Sequence, residues 1–135
     1  LLHCGQGSRA AIAEKVAATY RLEHLSEREE ELAEQIFRML VRDAEVRVRK
    51  ALSDQLKDSP HLPRDIALTM VRDVEEVALP VLQFSQVLSD NDLVDLIEST
   101  REVSRQLAIA GRNTVSERVS GALVATNMPE VTERI

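Results

Sequence analysis

The chain has 135 residues, of which 44% are hydrophobic and 30% are charged, and its formal charge is −6. This length and composition indicate one folded domain and exclude a disordered chain, and the acidic balance disfavours a general nucleic-acid-binding protein. The single cysteine, Cys4, excludes an internal disulfide framework and a Cys-rich zinc site.

Two helices are predicted in the first third of the chain. The sequence opens "LLHCGQGS", without a methionine, and we expect the chain to be a segment of a longer protein. Ser8 is the expected N-cap of a leading helix over residues 8–22. "SEREEELAEQIFRML" predicts a second helix over 26–41, because Ser26 and Glu29 have the spacing of a capping box. The predicted apolar positions are Ile12, Val16, Ala17 and Tyr20 in the first helix, and a buried stripe of Leu32, Ala33, Ile36, Phe37 and Leu40 in the second.

The middle of the chain predicts three more helices, over residues 45–56, 63–72 and 74–84. "KDSPHLP" ends the first of them because proline cannot continue a helix. A short turn at Asp73 precedes the third, in which Pro80 predicts a kink unless it lies near the first turn. The predicted buried positions of the helices over 45–56 and 63–72 are Val48, Leu52, Leu56, Ile66, Ala67, Met70 and Val71.

The last part of the chain predicts helices over residues 89–99, 101–110, 114–126 and from 129 onward. Ser89 and Asp92 have the spacing of a capping box, and so do Thr114 and Glu117. Gly111 is a typical residue for the end of a helix. No segment shows a convincing strand pattern.

The pair Glu-Val recurs at helix starts with spacings of 31, 26 and 28 residues, at Glu45-Val46, Glu76-Val77, Glu102-Val103 and Glu130-Val131. A period of this size is typical of a helical solenoid, in which stacked helix pairs close a continuous core. We therefore predict an all-α fold, a right-handed α-α superhelix with helix pairs at about 26–56, 63–84, 89–110 and 114–135. The whole chain, residues 1–135, is predicted to be a single repeat domain.

"DAEVRVRKAL", residues 43–52, resembles the turn and second helix of a HEAT-type repeat. The resemblance implies short HEAT-like hairpins, in which Asp43 tethers the turn and Arg47 reaches neighbouring repeats. Asp73 occupies the same turn position. The arginine of the pattern is replaced by Ala78, Ser104 and Thr132, so the pattern does not predict a continuous Asp–Arg ladder. The alternative interpretation of this segment is a dedicated anion-binding patch.

Most of the chain also resembles a bacterial family of uncharacterised HEAT-like proteins. The most specific part of the resemblance is the stretch "EVALPVL…S…LSDNDL". The family has no established activity, so the resemblance implies the fold and leaves the function open.

Four residues are candidates for binding a partner protein: Arg47, Lys50, Ser104 and Arg105. Arg47, Arg49 and Lys50 are crowded on one helix and have the chemistry to face a phosphate or an acidic partner. Neighbouring acids also fit a neutralised, solvated helix face, which we favour. The acidic run "EREEELAEQ" is typical of a solvated face as well, although it has the charge to dock a basic partner.

No cofactor and no metal site are predicted. Asp90, Asn91, Asp92 and Asp95 lack the glycine and the distal glutamate of a calcium loop, so helix capping explains them better. His3 and Cys4 stand at a terminus expected to fray, while His24 and His61 fall in predicted links. No Ser–His–Asp set has a family spacing.

We therefore predict a non-catalytic scaffold that binds a partner protein along aligned second helices. The alternatives are a nucleic-acid-binding module that uses a local basic stripe, and an enzyme with a pocket at the bend of the solenoid. Self-association through exposed solenoid ends is a further possibility. No apolar run approaches the roughly 18 residues of a membrane span, so we expect a cytoplasmic location.

Overall fold

The computed structural model describes residues 6–22 and 24–126. These residues form eight α-helices and no β-strand, which confirms the all-α prediction. The helices are α1 (Gln6–Leu22), α2 (Glu27–Leu40), α3 (Val46–Leu56), α4 (Arg64–Val71), α5 (Glu75–Phe84), α6 (Asp90–Ser99), α7 (Val103–Ala110) and α8 (Glu117–Val124). No helix in this part of the chain is long and apolar enough to cross a membrane.

The helix ends lie within three residues of the predicted ones. Two predicted capping boxes are confirmed, Ser26 with Glu29 on α2 and Ser89 with Asp92 on α6. In each box the serine hydroxyl accepts a hydrogen bond from the backbone N–H of the acid, and the carboxylate accepts one from the serine N–H, at 3.0–3.2 Å. Local sequence therefore determines where α2 and α6 begin.

Two predicted N-caps are wrong. Helix α1 begins at Gln6, two residues before Ser8. Helix α8 begins after Ser116, not Thr114, and the Ser116 hydroxyl accepts a hydrogen bond from the Val119 N–H at 3.2 Å. Val115, which precedes the observed N-cap, is partly buried against the core. The predicted helix from residue 129, with Glu130-Val131, lies outside the described residues.

Pro80 is the sixth residue of α5, beyond the first turn, and the helix continues through it to Phe84. Since proline has no N–H, the carbonyl of Glu76 receives no hydrogen bond from that position. Gly111 ends α7, as predicted, with a φ of −81° that any residue can adopt.

The odd-numbered helices pack in one row. Helix α1 packs against α3, α3 against α5, and α5 against α7. The even-numbered helices contact their neighbours in sequence: α2 contacts α1 and α3, α4 contacts α5, and α6 contacts α7. Helix α8 packs against α6 and α7. The row α1–α3–α5–α7 therefore runs through the described part of the chain.

The core is mainly aliphatic, and all the apolar positions predicted for the helices over 45–56 and 63–72 are buried. The stripe predicted for α2 is too wide, because Ala33, Phe37 and Leu40 are buried but Leu32 is 53% exposed. In the described part of the chain, α2 packs mainly against α1 and α3, and its buried residues Ala33, Phe37 and Leu40 lie on one side of the helix. On that side the Phe37 ring meets the Tyr20 ring edge-on, with 5.0 Å between the centroids.

Leu52 lies at the centre of the row and has no exposed surface. We expect Leu52→Ala to lower the free energy of unfolding by about 2–5 kcal/mol, because it removes buried methyl groups and leaves a cavity. Chemical denaturation followed by circular dichroism measures this change. Leu32→Ala is the matched control and should change stability by less than about 1 kcal/mol. Equal losses in the two variants would contradict the packing described above.

Candidate functional site

The turn between α2 and α3 is organised by Asp43. Its carboxylate accepts a hydrogen bond from the Glu45 N–H at 3.0 Å. The carboxylate also forms an ion pair with Arg9 on α1, whose Nε lies 3.0 Å from Oδ2. Partial burial acts to raise the pKa of Asp43, but the Glu45 N–H and the Arg9 guanidinium outweigh it and hold the pKa below its usual range. Asp43 therefore stays ionised and fixes the turn against α1.

Arg49 on α3 connects two successive turns. Its Nε and Nη2 donate to the two carboxylate oxygens of Asp73 at 2.7 and 3.0 Å, and its Nη1 donates to the Asp43 carbonyl at 2.7 Å. Both side chains of the Arg49–Asp73 pair are less than one-fifth exposed. The HEAT resemblance assigns the reaching arginine to Arg47, but Arg49 makes these contacts.

The turn between α4 and α5 is held from its other side by Arg105 on α7. Arg105 donates to the carbonyls of Val71 at 2.9 Å and Asp73 at 2.6 Å, and its Nε lies 3.0 Å from a carboxylate oxygen of Glu102. We call Arg9, Asp43, Arg49, Asp73 and Arg105 the arginine ladder. It joins all four odd-numbered helices through the turns at Asp43 and Asp73.

A second set of ion pairs joins the even-numbered helices. Arg38 on α2 binds both carboxylate oxygens of Asp65 on α4, at 2.9 and 3.1 Å. Arg64 on α4 binds Asp92 on α6, with Nε 2.9 Å from Oδ2 and a second contact from Nη2 to Oδ1. The Arg64 guanidinium is the main reason that the pKa of Asp92 falls to about 2. Our sequence prediction missed both pairs, although their separations of 27 and 28 residues are close to the spacings of the Glu-Val pairs.

Three of the four predicted binding residues lie on helix faces that point away from the core. Arg47 and Lys50 on α3 line an open groove of about 350 Å³ against α1, together with Glu14 and Asp54. The Lys50 ammonium lies 2.9 Å from the Asp54 carboxylate, one helical turn away. The groove therefore carries both signs of charge.

Ser104, the third of these residues, lies where α7 meets α5. Its hydroxyl donates to a carboxylate oxygen of Glu75 at 2.5 Å. Arg47 and Ser104 are each the second residue of their helix, and α3, α5 and α7 pack side by side. We group Arg47, Lys50, Glu75 and Ser104 under the name odd-helix face. Arg105 lies apart from it, since its side chain is only 14% exposed and is engaged in the arginine ladder.

A cavity of about 610 Å³ is open to solvent beside the ends of α3 and α5. Arg112 lines it and donates to the carbonyls of Leu82 at 2.6 Å and Ser85 at 2.5 Å. Burial lowers the pKa of this guanidinium, while the charge of the Asp90 carboxylate acts to raise it. Arg112 thus caps α5 in the way that Arg105 caps α4.

The acids of the sequence do not gather into a metal-binding cluster within the described residues. In particular, Asp92 is engaged by Ser89 and Arg64. His3 and Cys4 lie outside the described region. His24 and His61 are both exposed.

The Arg49–Asp73 pair can be tested by removing its cation. We expect Arg49→Leu to lower the free energy of unfolding by about 2 kcal/mol, because the poorly exposed Asp73 carboxylate loses two charged hydrogen bonds. Arg47→Leu, two residues away on an exposed position, is the control and should change stability by no more than about 0.5 kcal/mol. Urea denaturation of the two variants and the parent provides the comparison. Equal effects of the two substitutions would contradict the assignment to Arg49.

The low pKa of Asp92 predicts a pH-dependent contribution to stability. Because the pKa is lower in the folded chain than the ordinary value of 3.8, the contribution is present above that value and is lost as the pH falls toward 2. Arg64 is 60% exposed and solvent screens the pair, so we expect Asp92→Asn to cost about 1 kcal/mol at pH 6. Denaturation at pH 6 and pH 2 measures this cost. A difference that persists unchanged at pH 2 would show that the carboxylate charge is not its cause.

The C-terminal part of the chain is similar to a known protein family. No curated protein and no solved structure matches the chain. Residues 77–135 match the model of a family described as an uncharacterised protein conserved in bacteria (DUF2336). The match begins in α5 and includes nearly all of the stretch that carried the predicted resemblance. It confirms that resemblance: this part of the chain matches a bacterial family of unknown function.

Proposed function

We propose that the chain is a non-catalytic helical-repeat scaffold that binds a partner protein along the odd-helix face. In this proposal the row α1–α3–α5–α7 is the inner layer of a right-handed superhelix of short HEAT-like hairpins. The observation that supports it most is the unbroken packing of the four odd-numbered helices, joined at their turns by the arginine ladder. Stacked helices of this kind present extended surfaces to partners.

The chemistry of the odd-helix face suits a protein partner. Arg47 is exposed, Lys50 is balanced by Asp54, and Ser104 hydrogen-bonds Glu75, so positive, negative and neutral polar groups follow one another across the surface. A nucleic-acid interface needs a surplus of cations to replace phosphate counterions. The mixed charge of this face favours a protein surface that also carries both signs.

The ionisation of the acids supports a scaffold over an enzyme. The pKa values of Asp43, Asp65, Asp73 and Asp92 are all held below the ordinary value, and in each case an arginine contributes. Each of these arginines joins one helix or turn to another. A general acid at neutral pH needs a carboxyl pKa that is raised toward 7. The low values instead fit ion pairs that hold the helices in place.

The test is capture of partners from a bacterial lysate by the tagged chain and by an Arg47→Glu/Lys50→Glu variant, with and without nuclease. We expect a protein that survives nuclease to bind the parent and to be reduced at least tenfold in the variant. The matched control is Arg28→Glu/Arg118→Glu, which makes the same charge change at exposed positions of α2 and α8.

Three results of this capture would count against the proposal. Equal loss in the control would show that net charge, and not the odd-helix face, governs binding. Recovery through nucleic acid alone would support the nucleic-acid-binding alternative. A partner that binds both variants as well as the parent would place the interface elsewhere. In every case circular dichroism must first show that the variants are folded.

A further inference from the structure

Helix α2 carries an apolar stripe that the core does not use. Leu32 is 53% exposed and Met39 is 60% exposed, while Ile36 lies between them and is only partly buried. Spacings of four and three residues place the three side chains on one side of the helix. We call Leu32, Ile36 and Met39 the α2 stripe.

The α2 stripe lies on the side of the helix away from α4. Arg38, which pairs with Asp65 on α4, projects from the other flank. Ala33, Phe37 and Leu40 project toward the core and are buried. Within the described residues, α2 packs against α1 and α3, and these contacts leave Leu32 and Met39 more than half exposed. Two such neighbouring side chains on a polar helix form a small apolar contact surface.

We propose that the α2 stripe binds the same stripe of a second copy of this chain, with the two α2 helices antiparallel and Ile36 at the two-fold axis. An α-helix rises about 1.5 Å per residue, so Leu32 lies about 6 Å on one side of Ile36 and Met39 about 4.5 Å on the other. An antiparallel pair therefore places Leu32 of each copy against Met39 of the other. The stripe is thus complementary to itself, as a two-fold interface requires.

The charges beside the α2 stripe also favour the antiparallel arrangement. The first turns of α2 are acidic, with Glu27, Glu29, Glu30 and Glu31, whereas the exposed Arg42 follows the helix at its other end. Glu31 lies about 7.5 Å from Ile36 along the axis, and Arg42 lies on the opposite side, just beyond the end of the helix at Leu40. Antiparallel pairing brings Glu31 of one copy close to Arg42 of the other, twice per dimer. A parallel pair would instead align the acidic turns, which repel each other.

The predicted dimer is weak. The stripe offers three side chains per copy, far less than a standard interface, and each copy carries a net charge of −6. We therefore expect a dimer that forms only at high protein concentration. The stripe is on α2, separate from Arg47 and Lys50 on α3, so this inference stands or falls independently of the proposed partner-binding function.

The first experiment is sedimentation velocity over a range of concentrations. We expect the dimer fraction of the parent chain to rise with concentration, and Leu32→Lys/Met39→Lys to remain monomeric throughout. The matched control is Val74→Lys/Val124→Lys, which makes the same change at two other exposed apolar positions, 46% and 49% exposed. This control should associate as the parent does. A monomeric parent at every concentration, or a dimer that the α2 substitutions leave intact, would overturn the proposal.

Four further variants test the orientation. Glu31→Arg should weaken the dimer about tenfold, and the charge swap Glu31→Arg/Arg42→Glu should restore it.

In a Cys4→Ser background, Ile36→Cys should form a disulfide with itself across the two-fold axis under mild oxidation, while Glu30→Cys, on another flank of α2, should not. Failure of the swap to restore association, or equal cross-linking at both positions, would exclude the antiparallel pairing.

Discussion

The row of odd-numbered helices depends on arginine side chains that bind the turns between successive helices. Arg49 shows the principle, because one guanidinium holds the Asp73 carboxylate with two hydrogen bonds and the Asp43 carbonyl with a third. A planar guanidinium makes such forked contacts, and a lysine ammonium does not. The preference for arginine, 14 of the 17 basic residues, therefore has a structural explanation in this chain. The ion pair of Lys50, by contrast, stays within α3.

The same ion pairs determine which side chains remain exposed to a partner. Asp43, Asp73 and Asp92 are engaged by arginines and by backbone N–H groups, so their charges support the helix packing. The odd-helix face exposes polar groups to solvent, and the α2 stripe exposes apolar side chains to solvent. These two surfaces lie on different helices, and we propose different contacts for them: a charged protein partner for the first, and a second copy of the chain for the second.

Local signals allowed the helices to be predicted well, whereas contacts between them were predicted poorly. Capping boxes at Ser26 and Ser89 involve residues three apart, so they can be recognised in the sequence. Which arginine faces the next turn depends on how α3 is rotated in the row, and this is why the ladder uses Arg49 rather than Arg47. Leu32 fits an amphipathic pattern, but its burial depends on whether another helix covers that side of α2. The capping of α4 and α5 by Arg105 and Arg112 joins residues about 30 apart, and no local rule indicates it.

In the proposed complex, a partner protein lies along the row of odd-numbered helices. Hydroxyl-radical footprinting of the chain with its captured partner tests this directly, because it reports the accessibility of individual side chains. Leu79 on α5 and Leu107 on α7 are partly buried and take the same position in their helices as Lys50 takes in α3. We expect the partner to protect these two side chains, with Leu32 and Met39 on α2 still reactive at concentrations where the chain is monomeric. Protection confined to the even-numbered helices, or to the cavity beside Arg112, would contradict it.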